Sequence, residues 1–203
     1  MLVTIEGLDG AGKTTLAAGL HEALRARGVD AELLREPGGV ELSERIRALV
    51  KDPALDVDPR AEALLYAAAR AQLVAQRLRP LLEAGRWVLL DRFVDSSLAY
   101  QGAGRGLGIE AIRAINEFGT GGLVPARTLL LRIDPAAGRA RAEGRGAAPD
   151  RLEREGGAFF AAIAAAYDAL AAAEPDRVRV LDASRAPEAL VADALTALGD
   201  LLP

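Results

Sequence analysis

The sequence predicts an α/β fold in which helices cover both faces of a five-stranded parallel sheet. Two observations carry that prediction. Short apolar, strand-like segments alternate with longer helix-like ones along the whole chain, and parallel strands need such crossovers because each connection must travel back along the sheet. The first junction, Gly7-Leu8-Asp9-Gly10-Ala11-Gly12-Lys13-Thr14, satisfies G-x-x-x-x-G-K-[ST] at every fixed position, the phosphate-loop pattern that belongs between a strand and a helix. The expected architecture is therefore the three-layer α/β/α arrangement of P-loop NTPases, in one domain over residues 1–203.

Each element has its own justification. Leu2 to Glu6 is short, apolar and partly β-branched, as a buried parallel strand is. Thr14 to Arg27 is rich in alanine and leucine at helical spacing. Asp30 to Leu34 reads as the second strand and ends at Arg35-Glu36-Pro37-Gly38-Gly39. Helices follow at about 40–50 and 60–84, with Pro53 and Pro59 breaking the chain between them. Trp87 to Leu90 is the third strand, ending in Asp91-Arg92-Phe93. Helices at about 95–101 and 109–119 lead to a fourth strand, Thr128 to Ile133. A helix from about Pro135 runs into the glycine-rich segment Gly144 to Asp150. A helix over about 152–173, a strand Val178 to Leu181 and a last helix over 187–201 complete the chain.

Composition narrows the function. Zero cysteines exclude disulfides and thiol chemistry, and a single histidine, His21, excludes histidine-based metal or triad sites. The net charge of −4 argues against a general nucleic-acid binder. No apolar run approaches the ~18 residues of a membrane span, and the first residues lack the basic-then-apolar layout of a signal peptide. A cytoplasmic protein that engages neither membrane nor nucleic acid is expected.

In sheets of this kind ligands bind beyond the carboxyl ends of the strands. Gly7, Gly10, Ala11 and Gly12 let backbone N–H groups turn around a phosphate, and Asp9 lies among them. Lys13 is expected to reach the β- and γ-phosphates of ATP, and the Thr14 hydroxyl, next to Thr15, to ligate Mg²⁺. Arg35, Arg92 and a cluster at Arg139, Arg141, Arg145 and Arg151 follow the other strands. Arginine is suited to bidentate phosphate binding, so these placements point to a site that handles anions.

The phosphate loop, Arg35-Glu36-Pro37-Gly38-Gly39, Asp91-Arg92-Phe93 and Ser97-Leu98-Ala99-Tyr100-Gln101-Gly102 together resemble the bacterial thymidylate kinase family. The resemblance continues through Tyr66-Ala67-Ala68-Ala69-Arg70, Asn116-Glu117-Phe118 and Asp150-Arg151-Leu152-Glu153, in the family's order. It implies transfer of the ATP γ-phosphoryl group to dTMP, Mg²⁺ as cofactor, and a homodimer. It implies that Arg70 and Gln101 hydrogen-bond the thymine beside Ser97, and that Tyr66 stacks on the base where the family usually has phenylalanine. Tyr100 would pack against the sugar, Asp9 and Glu36 would lie near sugar and phosphate, Arg35 and Arg92 would hold the monophosphate, and Asp91 would stand near the Mg²⁺ shell. Some members carry an arginine within the phosphate loop where this chain has Gly10; the others supply it from a mobile lid. This chain resembles the second kind, with its lid at about 144–151, Arg145 as the first choice for the transition-state arginine, then Arg151, then Arg141, some of which would instead bind adenine or face solvent.

Two other readings have weaker sequence support. A phosphate-loop kinase for a different acceptor would give Arg70, Ser97 and Gln101 no base to read. A nucleotide-dependent switch or partitioning ATPase would want an N-K-x-D segment or an extra lysine early in the loop, and this chain has Gly7 and Leu8 there.

Overall fold

The computed structural model describes residues 1–203 except Arg145 and Ala147. Among the described residues five parallel strands form one sheet: β1 (Leu2–Gly7), β2 (Ala31–Arg35), β3 (Trp87–Asp91), β4 (Arg127–Arg132) and β5 (Val178–Asp182), in the order β2-β3-β1-β4-β5. The pairing Val3 with Arg127, Leu2 with Val88, and Arg35 with Asp91 fixes the register. That register brings Gly7, Arg35 and Asp91 to the same edge.

Between the strands run α1 (Lys13–Ala26), α2 (Glu41–Lys51) and α3 (Pro59–Leu73), which continues through a π-helical stretch, Val74–Leu78, into α4 (Arg79–Glu83). Then come α5 (Val94–Ser97) with a second π-helical stretch, Leu98–Gly104, and α6 (Ile109–Thr120), α7 (Pro135–Glu143), α8 (Gly157–Ala173) and α9 (Pro187–Ala197). Asp58 and Asp134 cap α3 and α7 by accepting backbone N–H groups, each followed by proline at the first helical position.

Strand alternation decides which layer each residue serves. Val3 and Ile5 of β1 point to one face, where Leu16, Leu20 and Leu24 of α1 and Leu190 and Ala194 of α9 close over them. Leu2 points to the other face and packs with Leu73, Leu78 and Phe93. Thr4 and Glu6 share that second face, both fully buried. Thr4 meets Thr128 of β4 at 2.7 Å between hydroxyls, so the polar strip is internally bonded. No described helix is long and apolar enough to cross a membrane.

Three boundaries differ from the sequence expectation. α8 starts at Gly157 rather than near 152, because the Asp150 carboxylate accepts the N–H groups of Leu152 and Glu153 and holds a separate turn before Gly156 and Gly157. α9 stops at Ala197, where Leu198 and Gly199 turn the chain. The helix expected over 95–101 extends to Gly104 by widening into the π-helical form, with the N–H of Arg105 bonded to the Tyr100 carbonyl at 2.9 Å. Such widening is common at functional sites.

Candidate active site

A cleft of about 370 Å³ opens at the carboxyl edge of the sheet, within the range that holds a small ligand. Its floor is the phosphate loop, contributed by Asp9, Gly10, Gly12, Lys13, Thr14 and Thr15. Its walls include Arg35, Glu36, Tyr66, Arg70, Asp91, Arg92, Ser97, Tyr100, Gln101 and Arg141. Residues far apart in the chain, read separately from the sequence, thus face one space.

The loop owes its shape to glycine at two places in particular. Gly10 and Gly12 have φ of 81° and 92°, a region that side chains rarely adopt. A Cβ on Gly10 would also overlap the carbonyl of Gly138 in α7, so this helix lies directly against the loop. Gly138 returns the contact: a Cβ there would stand 3.0 Å from the Asp9 carbonyl. Position 10 therefore has no room for the arginine that some relatives of this motif carry.

Lys13 folds back over the loop, with Nζ donating to the carbonyls of Gly7 and Leu8 at 3.0 and 2.8 Å. Burial, with the Arg92 charge nearby, pushes its ammonium down to about 8. The sign of the consequence is clear, because a lysine deprotonates as pH rises through its pKa, and Arg92 does not titrate in that range. ATP affinity should weaken above about pH 8, by up to tenfold per pH unit, with proton uptake on binding. Calorimetric titration from about pH 7 to about pH 9.5 checks this, and a flat affinity would remove Lys13 from phosphate binding.

Arg92 is the centre of the opposite wall. It has φ of 71°, the left-handed region, and is the one non-glycine residue described with positive φ. Its guanidinium donates to Asp9 at 2.6 Å, to the Tyr100 hydroxyl at 3.1 Å and to Ser96 at 3.0 Å, and lies 4.9 Å above the Tyr100 ring. Tyr100 in turn donates to Asp9 at 2.9 Å. Burial alone would raise the Asp9 pKa, yet Arg92 and Lys13 hold its carboxyl well below the usual carboxylate range.

Glu6, which the sequence reading missed, supports this wall from behind. Its carboxylate accepts the N–H of Phe93, the Ser96 hydroxyl and the Tyr167 hydroxyl at 2.7, 2.5 and 2.9 Å. Burial and nearby Asp95 push its pKa up. The only sequence signal was an acidic residue inside an apolar strand.

The deeper end of the cleft is built around Arg70, 2% exposed. Its guanidinium donates to Glu36 at 2.7 Å, to Ser97 at 2.9 Å, to the Phe93 carbonyl at 2.9 Å and to Asn116. Four of the five N–H bonds of an arginine are thereby used, leaving one Nη2 hydrogen. Burial pushes Glu36 up to about 7 even against the pull of Arg70. Burial, then Glu62, also raises the Tyr66 hydroxyl.

At the loop's other end the Thr14 hydroxyl donates to Asp91 Oδ2 at 3.1 Å. A hydroxyl and a carboxylate side by side at the cleft are hard oxygen donors. Among the described residues no group of three acidic or histidine side chains could hold a metal unaided. Two protein oxygens therefore fit a divalent cation that takes its remaining ligands from water and phosphate.

The expected arginines separate. Arg35 lines the cleft while bonded to Glu44 at 2.9 Å. Arg141 lines it too, donating to the Ala183 carbonyl beyond β5 at 2.8 Å. Arg151 does not join them: it is committed to Glu62 at 2.5 Å and to the Val50 carbonyl at 3.1 Å. The buried Glu62 carboxylate attracts it more strongly than a solvated position beside the loop would. Arg145 lies outside the described residues. Arg47 and Lys51 of α2, unanticipated from sequence, also line the cleft.

Fold and cleft together define a kinase built on the P-loop NTPase fold, with the phosphate loop and the side chains of Arg70, Ser97 and Gln101 lining one cleft. The thymidylate kinase family model matches residues 5–194. A thymidylate kinase of Deinococcus radiodurans is 50% identical over 200 residues, covering 98% of this chain and 97% of its own. One of Halorhodospira halophila is 48% identical, covering 99% and 94%. The crystal structure of thymidylate kinase from Ehrlichia chaffeensis superposes with a TM-score of 0.80 at 26% identity, covering 98% of each chain. The chain belongs to the thymidylate kinase family.

Proposed function

We propose that this chain transfers the γ-phosphoryl group of ATP to dTMP, giving dTDP, on one domain spanning residues 1–203 with a lid at about 144–151. The observation that carries the reading is the position of Arg70, Ser97 and Gln101 in the same cleft as the phosphate loop. A 4-oxopyrimidine presents an N3–H donor and an O4 acceptor on one edge, which suits a glutamine oxygen and a guanidinium hydrogen. Tyr66 would stack on the ring and Tyr100 pack on the sugar.

The acceptor phosphate oxygen is already largely anionic, so the reaction needs no strong general base; alignment and charge are the obstacle. Lys13 would hold the donor phosphates, while Arg35 and Arg92 hold the monophosphate, with Asp9 fixing the guanidinium of Arg92 in place. Arg141, beside the end of β5, would face the adenine side. Arg145 is proposed as the transition-state arginine, ahead of Arg151, whose guanidinium is engaged by Glu62. Thr14 and Asp91 would hold Mg²⁺, which when bound neutralises phosphate charge. Closure of the lid would exclude water.

A homodimer fits the exposed apolar side chains of Leu42 and Leu49 on α2, Leu64 on α3 and Phe118 on α6. The activity is tested by ADP release with Mg²⁺ and ATP against dTMP, dUMP, UMP, dCMP and AMP. Fast turnover is expected with dTMP; preference for another acceptor overturns the assignment.

A further inference from the structure

Glu62 lies in the first turn of α3, is fully buried, and takes no place among the groups that would touch substrate. Its Oε1 accepts from Gln101 Nε2 at 2.9 Å and, at the longer distance of 3.3 Å, from Arg105 Nε. Its Oε2 accepts from Arg105 Nη2 at 3.0 Å and from Arg151 Nη2 at 2.5 Å. Two guanidinium groups on one oxygen offset the burial of the negative charge. The other oxygen has the Gln101 amide as its shortest contact.

A glutamine amide can present either its oxygen or its nitrogen to a ligand, and free rotation would make it indifferent. A carboxylate can only accept, so the Gln101 nitrogen must turn to Glu62 and its oxygen must turn away. That oxygen accepts no hydrogen bond from the described residues, and Gln101 lines the cleft at 2% exposure. Resting on the dTMP reading above, we propose that Glu62 is a positioning residue that sets base specificity by locking Gln101 as an acceptor. The locked pair of Gln101 oxygen and Arg70 hydrogen accepts N3–H and donates to O4. A cytosine would set its unprotonated N3 against the oxygen and its amino group against the arginine. Both contacts are repulsive, so specificity against cytosine is set by a residue that does not touch the base.

The test compares kcat/KM for dTMP and dCMP in the wild type, in Glu62→Gln, in Gln101→Leu and in the double variant. Glutamine at 62 can donate or accept, which frees Gln101 to turn. The dTMP-to-dCMP ratio should fall by about tenfold or more in Glu62→Gln, through a raised KM for dTMP and a lowered one for dCMP, with KM for ATP unmoved. In the Gln101→Leu background the same change should alter the ratio by less than about twofold, because its effect runs through that amide. If Glu62→Gln does not fold, Glu62→Asp carries the test, since it keeps the charge but withdraws the carboxylate by one methylene. An unchanged ratio in the folded variant overturns the proposal while leaving the dTMP reading intact. A wild type that does not use dTMP overturns the reading itself.

Discussion

Replacing Arg92 by alanine or by glycine lowers kcat/KM for dTMP by about 10³-fold or more in both variants, the scale on which an arginine beside a transferring phosphoryl group acts. The two variants differ in stability. Arg92 holds φ of 71°, which costs an L side chain roughly 1–2 kcal/mol and glycine almost nothing. Arg92→Gly should therefore melt about 2–8 °C above Arg92→Ala, from ~2–4 °C per kcal/mol for a chain of this size. Equal activity loss with unequal melting temperature would separate the role of the guanidinium from the strain of the backbone that aims it. Equal melting temperatures would show that the left-handed geometry costs nothing here, and retained activity would remove Arg92 from the reaction.

Replacing Arg70 by alanine should unsettle the protein as well as its substrate. The Arg70–Glu36 pair is buried, with side chains 2% and 4% exposed. Breaking such a pair from one side costs about 3–5 kcal/mol, because the remaining charge is stranded. The expected fall in melting temperature is on the order of 6–20 °C, with a loss of dTMP affinity of at least about 10²-fold from the missing base contact. Changing both partners, Arg70→Met with Glu36→Gln, should recover part of the stability and none of the affinity. Thermal melting and dTMP titration on the three variants check this. A double variant no more stable than Arg70→Ala would mean that the stranded Glu36 charge is not the cause.

The fold was legible because its signals are local. The phosphate-loop pattern needs only eight consecutive residues, and the alternation of strand and helix needs only windows of similar length. The cleft was legible where short motifs sit at strand ends, as with Arg35, Asp91 and Arg92, since a parallel sheet brings those ends to one edge. Residues whose importance comes from what they meet across the fold were not legible. Glu62 reads as an ordinary acidic residue in a first helical turn, and only the packing of the π-helical stretch and of residue 151 against it gives it partners. Glu6 is similar: the hydrogen bonds it accepts come from residues 87 to 161 positions away. Arg151 shows the same limit from the other side: a motif marks the residue, but its pairing with Glu62 is visible only in the fold.

The contact between Gly10 and Gly138 bears on how such enzymes can diverge. A lineage that keeps its arginine in the lid could gain one in the phosphate loop only after α7 had retreated, since any side chain at position 10 meets the Gly138 carbonyl. That retreat would carry along Arg141, which stands on the same helix and lines the cleft. The two arrangements are thus separated by a valley that no single codon change crosses, and grafting a loop arginine onto this chain would require redesigning α7 at the same time.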